Sequence, residues 1–190
     1  GTLYWQINDN WPVASWASID YFGRWKALHY MAKKFYAPQA VSMCRDGDTM
    51  QVYLENESME AQPYQVVFYV KNMECEILEK IIGKGTVGVQ ESGQILVVDV
   101  SREDKKYEIF LEAEVTLADG SVLRDVETLV PYKYLELDKP EITAEVEEQD
   151  DAFVIHLKSS CFSPFTAIGF TDVDVTLTDN FFHMTDGEEM

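Results

Sequence analysis

The sequence predicts a mainly β chain: antiparallel β-sandwich material preceded by a single β/α unit. Three observations carry that expectation. All four tryptophans lie within the first 38 residues, at Trp5, Trp11, Trp16 and Trp25. Period-two alternation of apolar and polar residues recurs from Met50 to Val130, the mark of strands with one buried face. No helical period returns after Pro38.

The first unit has three parts. Leu3 to Asn8 is a short apolar and aromatic run that reads as a buried strand. Asp9 to Phe22 mixes aromatic residues with Asn, Asp, Ser and Pro at no fixed period, the composition of a long functional loop. From Arg24 to Tyr36, the residues Trp25, Leu28, Ala32, Phe35 and Tyr36 recur at helical spacing. Arg24, Lys26, Lys33 and Lys34 take the other face, and Pro38 stops the helix. One β/α unit supplies no partner strands of its own, so residues 1–38 are expected to be a piece of a larger structure.

Beyond Pro38, Met50, Val52 and Leu54 alternate with Gln51, Tyr53 and Glu55, and Val66, Phe68 and Val70 follow the same period. Ile95, Val97 and Asp99 oppose Leu96, Val98 and Val100. Ile109, Leu111, Ala113, Val115 and Leu117 alternate with Phe110, Glu112, Glu114 and Thr116, a face expected to be wet. Asp46-Gly47 and Asp119-Gly120 read as hairpin turns. Gly83 to Gly88 reads as a further turn, because it lacks the strand-then-helix setting of a phosphate loop. Six or seven strands of this kind describe an immunoglobulin-like antiparallel β-sandwich over residues 39–134.

Lys139-Pro140 marks a linker. Strands are expected to resume at Ile142–Val146, at Phe153, Ile155 and Leu157, and at Val173–Leu177. That is fewer than a full sandwich needs, so residues 135–190 are expected to form a second sandwich, truncated or completed by a strand from elsewhere. An edge left open in this way invites self-association.

Composition narrows the function. Fifteen basic against 34 acidic side chains give a formal charge of −19, which repels phosphates and argues against a nucleic-acid partner. No apolar run approaches the ~20 residues of a membrane span, and the first residues lack the pattern of a signal peptide. Cys44, Cys75 and Cys161 form no paired motif and are expected to be buried or half-buried free thiols. His29 is expected to be packed and hydrogen-bonded, while His156 and His183 stand alone. Ser15 and Ser18 have no base nearby in the sequence and make no triad. Asp172, Asp174 and Asp179 offer hard oxygen ligands for calcium, but a solvated acidic face on a strand accounts for them better. The sequon Asn56-Glu57-Ser58 is discounted as a chance match. No metal or cofactor is expected.

The run Leu3-Tyr4-Trp5-Gln6-Ile7-Asn8-Asp9-Asn10-Trp11-Pro12, followed by Ser15-Trp16 and by Trp25-Lys26-Ala27-Leu28-His29-Tyr30, resembles the last β/α unit of the catalytic barrel in β-mannosidases of glycoside hydrolase family 2. Phe170-Thr171, Thr178-Asp179-Asn180-Phe181-Phe182 and Asp186-Gly187-Glu188 resemble the end of that family's C-terminal immunoglobulin-like domain. The resemblance implies that residues 1–38 end a TIM-type (β/α)8 barrel. It also implies that the parent hydrolyses terminal β-D-mannosides with retention, using two carboxyl groups about 5 Å apart. In the family both are glutamates on earlier barrel strands. Gly1 to Pro38 contains no glutamate, so the chain itself is expected to be structural and inert as a hydrolase.

The same resemblance implies a contribution to the parent's site from Trp5, Gln6, Asn8, Asp9 and Trp11, where the last strand meets its loop. Trp5 would stack on the apolar face of a sugar. Asn8 and Asp9 would bind hydroxyls or hold the neighbouring carboxylates, and Trp11 divides between site wall and loop packing. Trp16 and Trp25 are expected in a core or a domain interface. The implied partners are a β-mannoside and the rest of the barrel.

A second class stays open: a self-standing β-sandwich module that binds carbohydrate or protein without catalysis. Tyr4, Trp5, Trp11, Trp16, Tyr21, Phe22 and Trp25 together exceed what an autonomous fold of this size hides, so exposed and self-associating aromatic surface is expected.

Overall fold

The computed structural model describes residues 3–101, 105–149 and 152–185; the Asp186-Gly187-Glu188 part of the resemblance lies outside the described residues. Contacts divide the chain into two units. The larger comprises Pro38–Ser163 and the residues from Met184 on; the smaller comprises the residues up to Ala37 together with Pro164–His183.

In the larger unit seven strands build the sandwich: β1 (Gln39–Asp46), β2 (Thr49–Asn56), β3 (Gln62–Asn72), β4 (Ile77–Val87), β5 (Glu91–Asp99), β6 (Ile109–Leu117) and β7 (Val122–Glu127). They form a three-stranded sheet, β1-β2-β5, and a four-stranded sheet, β4-β3-β6-β7, antiparallel throughout. The alternation seen in the sequence is the core. Met50, Val52 and Leu54 of β2, Val66, Phe68 and Val70 of β3, and Ile109, Leu111, Ala113, Val115 and Leu117 of β6 all face inward and are buried. Burial of such side chains contributes about 1.5–3 kcal/mol each. Gly47 (φ 58°) and Gly120 (φ 86°) supply the left-handed backbone of the two hairpins expected there.

Several expectations are corrected here. The outer face of β6 is not wet along its length, since Phe110 and Glu112 are as buried as the inward residues. The later chain crosses this face: Phe162 stacks on Phe110 at 4.1 Å, and Thr185 hydrogen-bonds Glu112. Gly83 and Gly85 lie within β4, not in a turn. A Cβ at Gly85 would stand 2.7 Å from the Tyr64 hydroxyl, and one at Gly83 would stand 3.0 Å from Val66 Cγ1. A side chain at either position would have to displace a neighbour on β3, and neither glycine has a backbone shape that demands it. Cys44 is exposed instead of covered, whereas Cys75 is half-buried and Cys161 buried. Asn56 of the sequon is buried and donates its Nδ2 to the Glu60 and Gly88 carbonyls, both at 2.8 Å.

Past the sandwich come β8 (Ile142–Gln149), β9 (Ala152–Ser159), β10 (Ser163–Thr166) and β11 (Phe182–Met184). β8 and β9 form a two-stranded ribbon in which β8 is exposed along its whole length, and β10 pairs with β11. Val173–Leu177, expected as a strand, has no ladder partner among the described residues and runs as irregular chain with Val173 and Val175 exposed.

In the smaller unit the run Leu3–Asn8 is not a strand either. Its regular pairing is one isolated bridge, Asn8 to Ile19, and Leu3 is 96% exposed. An apolar strand sequence becomes a strand only where neighbours offer a ladder, and among the described residues none offers this run more than the Asn8–Ile19 bridge. The helix α1 spans Ala27–Phe35. Its buried residues are Tyr30 and Ala32, while Phe35 and Tyr36 of the predicted stripe are about half exposed. Trp16, expected in a core or a domain interface, lies in no core and is exposed.

Candidate functional site

The tryptophan-rich loop is folded back on its own start by backbone bonds. Ser18 N–H donates to Gln6 O (3.0 Å), Ile19 N–H to Ile7 O (2.8 Å) and Asp9 N–H to Ile19 O (3.1 Å), and Lys26 N–H closes the second turn on Ser18 O (2.9 Å). The short polar side chains of this stretch suit such closures, because Ser and Asp bond readily to nearby groups.

Two side-chain knots sit inside. In the first, Asp9 is only 5% exposed. Its Oδ1 accepts the Ser15 hydroxyl at 2.6 Å and its Oδ2 pairs with Lys26 Nζ at 3.3 Å; the same ammonium donates to Ser15 O. In the second, the fully buried Ser18 hydroxyl donates to Ile7 O at 3.0 Å. That uses its one proton, so the groups on its lone pairs must be donors: Tyr4 O–H at 3.1 Å and His29 Nδ1–H at 3.1 Å. The bond thus assigns the His29 proton to Nδ1.

This overturns the expectation that Ser18 has no base nearby. His29 lies eleven positions downstream but is brought to hydrogen-bond distance by the turn into α1. The pair is no nucleophile–base system, since the Ser18 proton points to a carbonyl and its oxygen is closed to solvent. Lys26 and His29, three apart at the start of α1, both face the loop. That spacing is the signal from which the knots could have been anticipated.

Of the five predicted site residues, the loop keeps two tryptophans outward, Trp5 at 73% and Trp11 at 63% exposure. Gln6 is half-buried, and its peptide bond to Trp5 is cis. Asn8 is exposed, with Nδ2 donating to Asp9 O. Asp9 is withdrawn into the first knot. The arrangement offers aromatic surface and amide groups on a braced loop, but no exposed carboxylate pair. Among the described residues no cluster of three His, Cys, Asp or Glu side chains could hold a metal. Asp172 and Asp174 are exposed on irregular chain rather than on a strand, and Asp179 pairs with Lys34 at 2.8 Å.

In chain order the structure runs from a tryptophan-rich loop through a helix into an immunoglobulin-like sandwich. Residues 137–190 match the family model of the mannosidase Ig-fold domain. Across 98% of its length the chain is 28% identical to the β-mannosidase of Capra hircus and 29% identical to that of Bos taurus, covering 22% of each. Over 62 residues, 32% of the chain, it is 45% identical to β-mannosidase A of Aspergillus terreus and covers 7% of it. Among solved structures, the β-D-mannosidase of Dictyoglomus thermophilum superposes with a TM-score of 0.86 at 18% identity, covering 98% of this chain and 23% of that one. An exo-chitosanase of Amycolatopsis orientalis reaches 0.72 at 14% identity, over 99% and 27% of the two chains. The chain thus corresponds to the C-terminal part of the β-mannosidases of glycoside hydrolase family 2 and spans about a fifth of the length of the curated relatives it matches.

Proposed function

We propose that this chain completes the active site of an exo-acting, retaining β-mannosidase, with hydrolysis itself performed by glutamates outside residues 1–38. The observation that carries the reading is the outward presentation of Trp5 and Trp11 on a loop braced from within by Asp9, Ser15, Lys26, Ser18 and His29. An indole held in that way is a platform for the apolar face of a sugar ring. Trp5 stacks on the mannosyl unit, Gln6 and Asn8 bind hydroxyls, and Trp11 walls the site. Asp9 shapes the loop from below. Residues 1–38 end the barrel, and residues 39–134 and 135–190 are two sandwich domains that support it; the family model beginning at residue 137 supports the second boundary. Without the rest of the barrel, the exposed tryptophans and the open edge of β8 promote self-association.

The test is on the natural gene product, captured with an antibody against this chain, weighed, and assayed with aryl β-mannoside beside aryl β-galactoside. A product several times heavier than 21.8 kDa that cleaves the mannoside, with Trp5→Ala raising KM, is the expected result. A product of the chain's own mass without activity overturns it.

A further inference from the structure

Within the smaller unit a second element touches α1. The Asn180 side chain closes the segment 168–180 into a loop: its Oδ1 accepts the Ile168 N–H at 2.8 Å and its Nδ2 donates to Ile168 O at 2.9 Å. The same Oδ1 accepts the N–H of Phe181 at 2.9 Å. Phe181 has φ 58°, a left-handed conformation that a bulky residue adopts only when its surroundings impose it. Held so, its ring meets Tyr30 of α1 at 6.0 Å. Nearer the helix end, Lys33 Nζ donates to Thr178 O at 2.8 Å and Lys34 pairs with Asp179.

From Tyr30 the contacts continue without a gap. Tyr30 packs edge-on against Trp25 at 5.3 Å, and Trp25 packs against His29 at 4.4 Å. His29 holds Ser18, and Ser18 holds Ile7 O, between the two outward tryptophans. Tyr30 and Ser18 are both buried, and Trp25 and His29 between them are half-buried.

We propose that Asn180 and Phe181 are positioning residues for the Trp5–Trp11 segment, acting through Tyr30, Trp25, His29 and Ser18. The exposed Lys34–Asp179 pair alone is too well solvated to do this. The strained Phe181 backbone and its Asn180 clamp are what aim the ring. The purpose of the bracing rests on the β-mannosidase reading; the bracing itself does not.

The experiment is hydrogen exchange on the 190-residue chain, read at the Ser18 and Ile19 amides, whose bonds to Gln6 O and Ile7 O hold the segment. Phe181→Ala keeps the backbone demand but removes the ring. It is expected to speed exchange at both amides on the order of tenfold, while Phe181→Tyr restores protection and Val173→Ala, on the exposed part of the same loop, changes nothing. Amides of β3 and β6 report whether each variant is folded, and Phe181→Leu is the milder substitute should Phe181→Ala lose that protection. Faster exchange confined to residues 165–184, with Ser18 and Ile19 unchanged, overturns the proposal. In the full-length protein, Phe181→Ala is expected to raise KM for aryl β-mannoside more than it lowers kcat, with Phe181→Tyr rescuing. Unchanged kinetics beside faster exchange overturn the positioning role. A wild-type parent without mannosidase activity overturns the functional reading and leaves the exchange result standing.

Discussion

Lys71 and Glu112 face each other at 2.7 Å on the outer side of the four-stranded sheet, both almost without exposure. The Thr185 hydroxyl donates to the other glutamate oxygen, and Lys71 Nζ donates to Thr185 O. Two desolvated charges gain little over a well-packed apolar pair, but removing one strands the other. Glu112→Ala is therefore expected to lower the stability of the larger unit by about 3–5 kcal/mol in urea unfolding, whereas Lys71→Met with Glu112→Leu costs much less. Asp125 poses a simpler problem. Burial, countered by the Met43 N–H bond and aided by the charge of Glu127, pushes its pKa from 3.8 to about 6. The native state then binds the proton more tightly than the unfolded chain. The stability this provides is complete below pH 3.8 and is lost as pH rises through about 6. Against Asp125→Asn, the wild type should gain on the order of 2–3 kcal/mol between pH 7 and pH 4 in denaturant titrations. Neither group was legible as special in the sequence. Glu112 alternates with core residues like any wet-face glutamate, and what buries it is Thr185, 73 positions later.

At the scale of elements, strands whose partners lie in the same continuous stretch were legible, and segments that depend on partners elsewhere were not. The period of β2, β3 and β6 is readable because both sheets come from one continuous stretch, so the partner face is always present. Leu3–Asn8 carries an equally apolar pattern without a ladder to join, and Val173–Leu177 alternates but is closed off by the Asn180 amide. The glycines of β4 were misread because their constraint is a side chain on another strand. Gly85→Ala is expected to destabilise by about 1–2 kcal/mol through collision with Tyr64, and Tyr64→Phe, which removes the nearest atom, should reduce that cost in a double-mutant cycle read by thermal unfolding. In the candidate site, exposed aromatic surface was legible from the density of rings in residues 1–38, but not that Trp16 would be part of it. The knots around Asp9 and Ser18 were not, because they join residues across a loop with no period.

For the whole molecule, the two units should answer acid in opposite senses. Burial, with the charge of Lys34, lowers the His183 pKa from 6.5 to about 4 in the smaller unit. The folded state resists a proton that the unfolded chain accepts, so its contribution is present above pH 6.5 and is lost as pH falls through about 4. Asp125 gives the larger unit the reverse dependence. All four tryptophans belong to the smaller unit, so fluorescence follows it alone, while far-ultraviolet circular dichroism is dominated by the strands of the larger. On going from pH 7 to pH 4.5, the fluorescence midpoint in urea should fall relative to the dichroism midpoint; coincident shifts would refute this separation.

The smaller unit is assembled from two stretches of chain that lie at opposite ends of the sequence, with the sandwich strung between them. No single cut can therefore release either unit intact. A clone ending at Ser163 would lose the Phe181 ring from the helix and Thr185 from the buried pair in one stroke, and one starting at Pro38 would leave 164–183 without α1. Anyone wishing to isolate the larger unit with its Thr185 contact must excise an internal segment and rejoin the chain across it, as one would shorten a belt from the middle rather than from its tip.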